Sequence, residues 1–191
     1  MKITKFLLDY LVALAILPFI FPIIILLIIV ATFDTGEFGL FTQKRVGKSA
    51  TLFSIYKIRS MRGTYQSDIT TEKTHDITRI GQFLRNHKLD ELPQIFNILL
   101  NQMSFVGPRP DVPGYADELK GEDRIILTIK PGITGPAQIA FRNEEEILQN
   151  QANPLKYNDE ILWPQKVEIN KEYIKNWSFL KDLNYIFKTF V

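Results

Sequence analysis

Charge is nearly absent from the start of the chain. After Lys2, Lys5 and Asp9, residues 10–33 form a run of 24 positions without a formal charge. At about 1.5 Å per residue this run makes a helix of about 36 Å, enough to cross a hydrocarbon core of about 30 Å. A cleaved signal peptide has a shorter apolar core and a small-x-small end, whereas this run closes on Ala31-Thr-Phe33. A spanning helix and a re-entrant one both fit. Pro18 and Pro22 fall mid-run, each removing a backbone donor and crowding the preceding turn. Basic residues flank both ends (Lys2 and Lys5 before, Lys44, Arg45 and Lys48 after), so positive-inside reasoning tolerates both flanks on one side.

Beyond the run, the pattern becomes that of a mixed globular chain. Residues 34–39 read as a turn leaving the bilayer. Residues 51–61 alternate apolar and polar over much of their length and predict a strand. Residues 64–76 are polar and read as a loop, and 77–85 as a short helix with Ile80, Phe83 and Leu84 on one face. A second helix is expected over 89–100, where Leu92, Ile95, Phe96, Leu99 and Leu100 recur at helical spacing. Pro93 fits only its first turn, which puts Asp90 and Glu91 at the helix start. Residues 107–110 and 130–136 are Pro- and Gly-rich turn segments, and 143–166 are acidic and Pro-punctuated. Residues 167–190 read as two amphipathic helices split near Asn176-Trp177-Ser178.

Composition then narrows the chemistry. The absence of Cys excludes disulfides, thiolate metal sites and Cys nucleophiles, and two histidines, His75 and His87, exclude a His-rich metal centre. Residues 34–191 carry a net charge of about +1, which argues against nucleic acid as a partner. Yet Lys44, Arg45, Lys48, Lys57, Arg59 and Arg62 occur with no acidic residue among them. Such a stretch suits anionic headgroups, a polyanionic substrate at the membrane surface, or both. Asp90-Glu91 suits either a helix cap or a carboxylate pair for a hard cation such as Mg²⁺. Arg109, held between Pro108 and Pro110, is either an ordinary surface turn or a rigidly presented phosphate-binding guanidinium. No P-loop, Gly-x-Gly-x-x-Gly or Gly-x-Ser-x-Gly element is present.

Five blocks in order are more specific than any one of them. They are Phe41-Thr-Gln-Lys-Arg-Val-Gly47, Phe53-Ser-Ile-Tyr-Lys-Ile-Arg-Ser-Met61, Leu89-Asp-Glu-Leu-Pro-Gln-Ile-Phe-Asn97, Met103-Ser-Phe-Val-Gly-Pro-Arg-Pro110 and Pro131-Gly-Ile-Thr-Gly-Pro-Ala-Gln138. Together they resemble the bacterial sugar transferase family, the monotopic phosphoglycosyl transferases that act on a polyprenol phosphate. The resemblance runs from Asp9 to about Thr189. It implies an α/β fold, mostly helical with a small sheet. A membrane-embedded re-entrant helical hairpin (residues 1–33, broken at Pro22 and aided by Pro18) would precede a small cytosolic catalytic domain (residues 34–191) that includes interfacial amphipathic helices.

The resemblance places the family's Asp-Glu pair on Asp90 and Glu91, as catalytic residues and Mg²⁺ ligands. Its substrate-binding positions fall on Lys57, Arg59, Arg85, Pro108, Arg109, Pro110, Arg142 and Asn143. Departures are Phe21 where a serine precedes the proline, Asn101-Gln102 for Gly-Asp, Asp76 at a frequently basic position, Asn170 at an often acidic one, and about twenty extra residues between Arg142 and Val167.

The implied reaction moves a phosphosugar from a UDP-sugar to undecaprenyl phosphate with release of UMP, through an aspartyl-phosphosugar. Two alternatives stand beside it: a sequential transferase without a covalent intermediate, and a catalytically silent membrane-surface scaffold. The implied location is the cytoplasmic face of the bacterial inner membrane. The implied partners are inner-membrane lipid, downstream glycosyltransferases and, as an option, a second copy of the chain.

Overall fold

The computed structural model describes residues 3–63 and 76–190. The loop expected over 64–76 lies outside the described residues except for Asp76, which opens a short strand. The chain is mostly helical with a little β-structure, and its contacts divide it into two compact, interleaved units.

The unit formed by Phe6–Lys44 and Ser54–Asn101 holds nearly all of α1 (Ile3–Thr35). This helix is continuous through Pro18 and Pro22, although Pro22 brings no N–H to the carbonyl of Pro18. It is the one described helix long and apolar enough to cross a membrane, and only 11% of its most apolar window is buried. Leu11, Phe19, Leu26 and Phe33 project outward with nothing covering them. A helix apolar all round and left largely uncovered by protein is built for an apolar solvent.

Its C-terminal end is tied down by hydrogen bonds. Thr32 receives the N–H of Gly36 on its carbonyl (3.0 Å) and that of Gly39 on its hydroxyl (2.8 Å). Gly39 runs so close to Ile28 that a Cβ would lie 2.0 Å from the Ile28 carbonyl oxygen. Thr78 donates to the Asp34 carboxylate, and Arg62 Nη2 donates to the Asp34 carbonyl at 2.8 Å.

β1 (Leu40–Val46) and β2 (Leu52–Ile58) then form a two-stranded sheet. The expected strand over 51–61 is shorter than its alternation, because β3 (Met61–Arg62) leaves to pair antiparallel with β4 (Asp76–Ile77). α2 (Arg79–Asn86) begins at Thr78, whose hydroxyl caps the helix by accepting from Gly81 N–H. α3 (Gln94–Leu99) buries Ile95 and Ile98, and Ile55, Ile58 and Leu84 are buried in the same unit.

The unit formed by Met1–Lys5, Arg45–Phe53 and Gln102–Val191 is organised around a parallel pair, β5 (Ser104–Val106) and β6 (Gly132–Thr134), in register Ser104↔Gly132 and Val106↔Thr134. Residues 130–136 were expected to be a turn throughout; a strand runs through their middle because the chain there meets β5, which no local pattern announces. Short helices α4 (Pro136–Ala140), α5 (Glu144–Gln149) and α6 (Pro154–Tyr157) follow, then a π-helical turn over Asn158–Leu162. α7 (Trp163–Lys175) and α8 (Phe179–Phe190) are split at 176–178, as expected. Val46, Ala116, Ile126, Leu127 and Val167 form the core. Buried Asp182 joins three segments, accepting hydrogen bonds from Lys5 Nζ (2.5 Å), Tyr173 Oη (2.6 Å) and Trp177 Nε1 (3.0 Å).

Candidate active site

The Asp90-Glu91 pair does not open an α-helix. Lys88 takes a left-handed conformation (φ 57°) at the end of α2, and the chain passes into a 3₁₀ turn over Leu89–Glu91. Pro93 supplies a fixed φ of −63° but no N–H, so the α-helical pattern starts only at Gln94. The expected single helix over 89–100 is therefore a 3₁₀ turn followed by six residues of helix. Neither carboxylate caps a helix: the residues at the cap positions are Lys88 and Pro93. A six-residue helix beyond a proline also adds little dipole.

Charge is supplied by side chains. Asp90 is 7% exposed, and burial pushes its carboxyl above the ordinary carboxylate range. Lys57 opposes that shift, neighbouring Glu91 adds to it, and Arg85 and Lys88 oppose it further. Lys57 Nζ bonds Glu91 Oε1 at 3.2 Å, with both side chains largely buried. Two of the cations named from the sequence, Lys57 and Arg85, and both carboxylates thus meet in one unit, and Lys88, not singled out before, joins them. A buried carboxylate among cations that performs no capping is what a reacting group requires.

Arg59 sits differently. Its Nε donates to the Phe38 carbonyl (3.0 Å), its Nη1 pairs with Glu37 (2.9 Å), and its guanidinium lies 5.5 Å from the Phe41 ring centroid. It braces the chain leaving α1.

In the other unit, Pro108, Arg109 and Pro110 follow β5 directly, and backbone contact sets their path. Gly107 N–H donates to Thr134 O (2.9 Å) and Gly132 N–H to Pro108 O (2.8 Å), two main-chain bonds additional to the β5–β6 pairing. The approach is possible because side chains are missing: a Cβ on Gly132 would lie 2.1 Å from Gly107 N, and one on Gly135 2.1 Å from Gly107 O. Arg45 Nη1 donates to Pro110 O (3.3 Å) and Val46 N–H to Asp111 O (2.8 Å). Pro108 and Pro110 are buried while Arg109 is exposed, and Gly47, Arg109, Asp111 and Pro131 line an open cleft.

Burial lifts the Asp111 carboxyl to about 6 against the opposing pull of Lys166, Arg109 and Arg45. Asp111 was not singled out in the sequence; its only signal there was its place after the Pro-Arg-Pro. Arg142 donates to the Lys188 carbonyl of α8, and exposed Asn143 heads α5 without capping it.

Among the described residues no group of three or more His, Asp or Glu side chains could hold a metal. Two adjacent carboxylates are nevertheless a fitting donor set for Mg²⁺, which takes one or two protein carboxylates and fills its remaining positions with water and substrate phosphate oxygens.

The model of the family described as bacterial sugar transferase matches residues 1–191. The chain belongs to the bacterial sugar transferase family. Over 95% of its length it is 35% identical to a UDP-glucose:undecaprenyl-phosphate glucose-1-phosphate transferase of Klebsiella pneumoniae, and 30% identical to a UDP-galactose-lipid carrier transferase of Erwinia amylovora. It spans 38% of the length of each of these relatives. The exopolysaccharide production protein ExoY of Sinorhizobium fredii is 30% identical over 95% of the chain and 81% of that relative.

Proposed function

We propose that the chain is a phosphoglycosyl transferase that moves a phosphosugar from a UDP-sugar to undecaprenyl phosphate, releasing UMP, as a first membrane step of glycan assembly. The observation that carries the reading is Asp90, buried beside Glu91 among Lys57, Arg85 and Lys88 and away from any helix cap position. The family and the activities for which two relatives are named agree with it. Those names differ in the sugar, so the sugar stays unassigned.

In the proposed reaction an Asp90 carboxylate oxygen attacks the β-phosphorus of the UDP-sugar. The bond from that phosphorus to the bridging oxygen breaks, and UMP leaves with the electron pair. A phosphate oxygen of undecaprenyl phosphate then attacks the same phosphorus and restores the Asp90 carboxylate. Lys57 holds Glu91 and, with Arg85 and Lys88, offsets the anion–anion repulsion of the first attack. Arg109 presents a guanidinium for phosphate, and we assign Arg59, Arg142 and Asn143 to the substrate-binding set on the family resemblance alone. Asp90 and Glu91 would hold Mg²⁺, which neutralises pyrophosphate charge when bound. Splitting the transfer lets a soluble donor and a lipid acceptor use one carboxylate in turn.

The chain incubated with magnesium, a panel of UDP-sugars and no lipid should gain one phosphosugar mass, mapped to Asp90, and release UMP once; undecaprenyl phosphate should then remove that mass and allow repeated turnover, and leaving out magnesium should abolish both. Asp90→Asn should lose both events, with transfer down at least about 10³-fold. Near-normal transfer by Asp90→Asn would favour the sequential mechanism.

We further propose that residues 1–33 form a re-entrant membrane segment and that residues 34–191 are cytosolic, on the inner-membrane face. Supporting this, Phe21, in the middle of α1, lies edge-on to Phe96 of α3 (centroids 6.3 Å apart), while Asp34, at its end, is bound by Thr78 and Arg62. The uncovered Leu180 and Phe187 of α8 suit the bilayer surface. Single cysteines introduced near Thr4 and at Ser49 should both label from one side of the membrane; labelling from opposite sides makes the helix a span.

A further inference from the structure

Among the described residues β2 pairs with β1 alone, and on its edge toward α3 one side chain takes the place of a further strand. Asn97 is completely buried. Its Nδ2 donates to the Ser54 carbonyl at 2.8 Å, and its Oδ1 accepts the Tyr56 N–H at 3.1 Å. The C=O of one residue and the N–H of the residue two further on are the pair that a parallel neighbour strand would engage. The carboxamide of Asn97 therefore stands in for the N–H and C=O of one residue of a missing strand. It satisfies two half-buried main-chain groups of β2, and it fastens α3 to β2 at a defined register.

The register matters because of what lies on each side of the fastening. Lys57 follows Tyr56 on β2, and Glu91 precedes α3 by one short turn. The Lys57–Glu91 pair at 3.2 Å is a second tie between the same two segments. Lys57 is also the strongest cationic influence on Asp90. An ion pair between flexible side chains defines distance poorly by itself. Two hydrogen bonds from a short, fully buried amide define it well.

We infer that Asn97 is a positioning residue which holds the turn bearing Asp90 and Glu91 against Lys57, so that the ion pair and the charge around Asp90 exist only while the Asn97 clamp is closed. The inference rests on the reading of Asp90 and Glu91 as the reacting pair.

The test uses the full chain in lipid nanodiscs with undecaprenyl phosphate and a panel of UDP-sugars. Asn97→Ala should lower kcat by about 10–100-fold, the scale on which a displacement of about 1 Å is felt, and leave KM for the UDP-sugar little changed. Asn97→Gln, which keeps donor and acceptor on a longer stem, should recover part of the loss. A second readout is independent of turnover: the ¹³Cε resonance of Lys57, assigned through Lys57→Arg, should shift when Glu91→Gln is introduced. That shift should vanish in the Asn97→Ala background. If Asn97→Ala does not fold, Asn97→Gln decides, with a reduced Lys57 response and a reduced kcat as the expected result. A folded variant with an unaltered Lys57 response and unaltered kcat overturns the positioning role. Failure of the unaltered chain to turn over any UDP-sugar overturns the transferase reading instead, and the Lys57 resonance still decides whether Asn97 controls the pair.

Discussion

The two units hold their chemistry-bearing residues by opposite means. Around Asp90 the ties are made by side chains: Asn97 to β2, Lys57 to Glu91, Arg62 and Thr78 to Asp34. Around Arg109 they are made chiefly by main chain, Gly107 to Thr134, Gly132 to Pro108 and Val46 to Asp111, with one side-chain tie from Arg45 to Pro110. A side-chain tie fails by degrees, since a substitution removes one partner and leaves the backbone free to compensate. Main-chain contact through glycines has no such gradation, because any Cβ must displace backbone. The surroundings of Asp90 are therefore tunable by substitution, whereas the path into Arg109 is all or nothing.

Gly132→Ala breaks the comparison most severely. Its Cβ would meet Gly107 N at 2.1 Å and Thr134 O at 2.5 Å, with no flexible side chain to give way. Denaturant titration should show a loss of about 3 kcal/mol or more, in the range of overpacked and strained sites, and transfer should be lost with it.

Asp111→Asn is a milder probe of the same unit. A carboxyl raised to about 6 when folded, from about 4 when unfolded, binds more protons in the native state between those values. Its contribution to stability is thus greatest at low pH and falls as pH rises from about 4 to about 6. Over that window the wild type should lose up to about 3 kcal/mol through this group. Asp111→Asn should flatten that part of the curve, and an unchanged slope in thermal melts across it would contradict the assignment.

The smallest effect is expected at the turn between β1 and β2, where Ser49 and Ala50 both take positive φ (57° and 60°). Neither residue type favours that region, and Ala50→Gly relieves one of the two. A gain of about 0.5–1 kcal/mol is expected by thermal melting with transfer unchanged.

What could be read along the chain was whatever one segment settles by its own periodicity or by the type of its residues. The apolar run over 10–33 is visible because no neighbour is needed to make it apolar, and α1 follows it closely. The split at Asn176-Trp177-Ser178 and the helix over Arg79–Asn86 were legible for the same reason. The Asp90-Glu91 pair stood out because its residue types and its neighbours match a known pattern. That match located the residues but said nothing of their burial, and it placed them on a helix start that Pro93 delays.

Only the tertiary structure decided that β6 exists, that Asn97 stands in for a strand, that Asp182 gathers Lys5, Tyr173 and Trp177, and that burial lifts the Asp111 carboxyl to about 6. Each of these is a relation between segments far apart in the chain. An asparagine, a glycine or an aspartate looks the same in sequence whether its partner is water or a buried amide. Hydrogen bonding and desolvation act through distance in space, and along the chain the two groups of the Asn97 clamp are separated by more than forty residues.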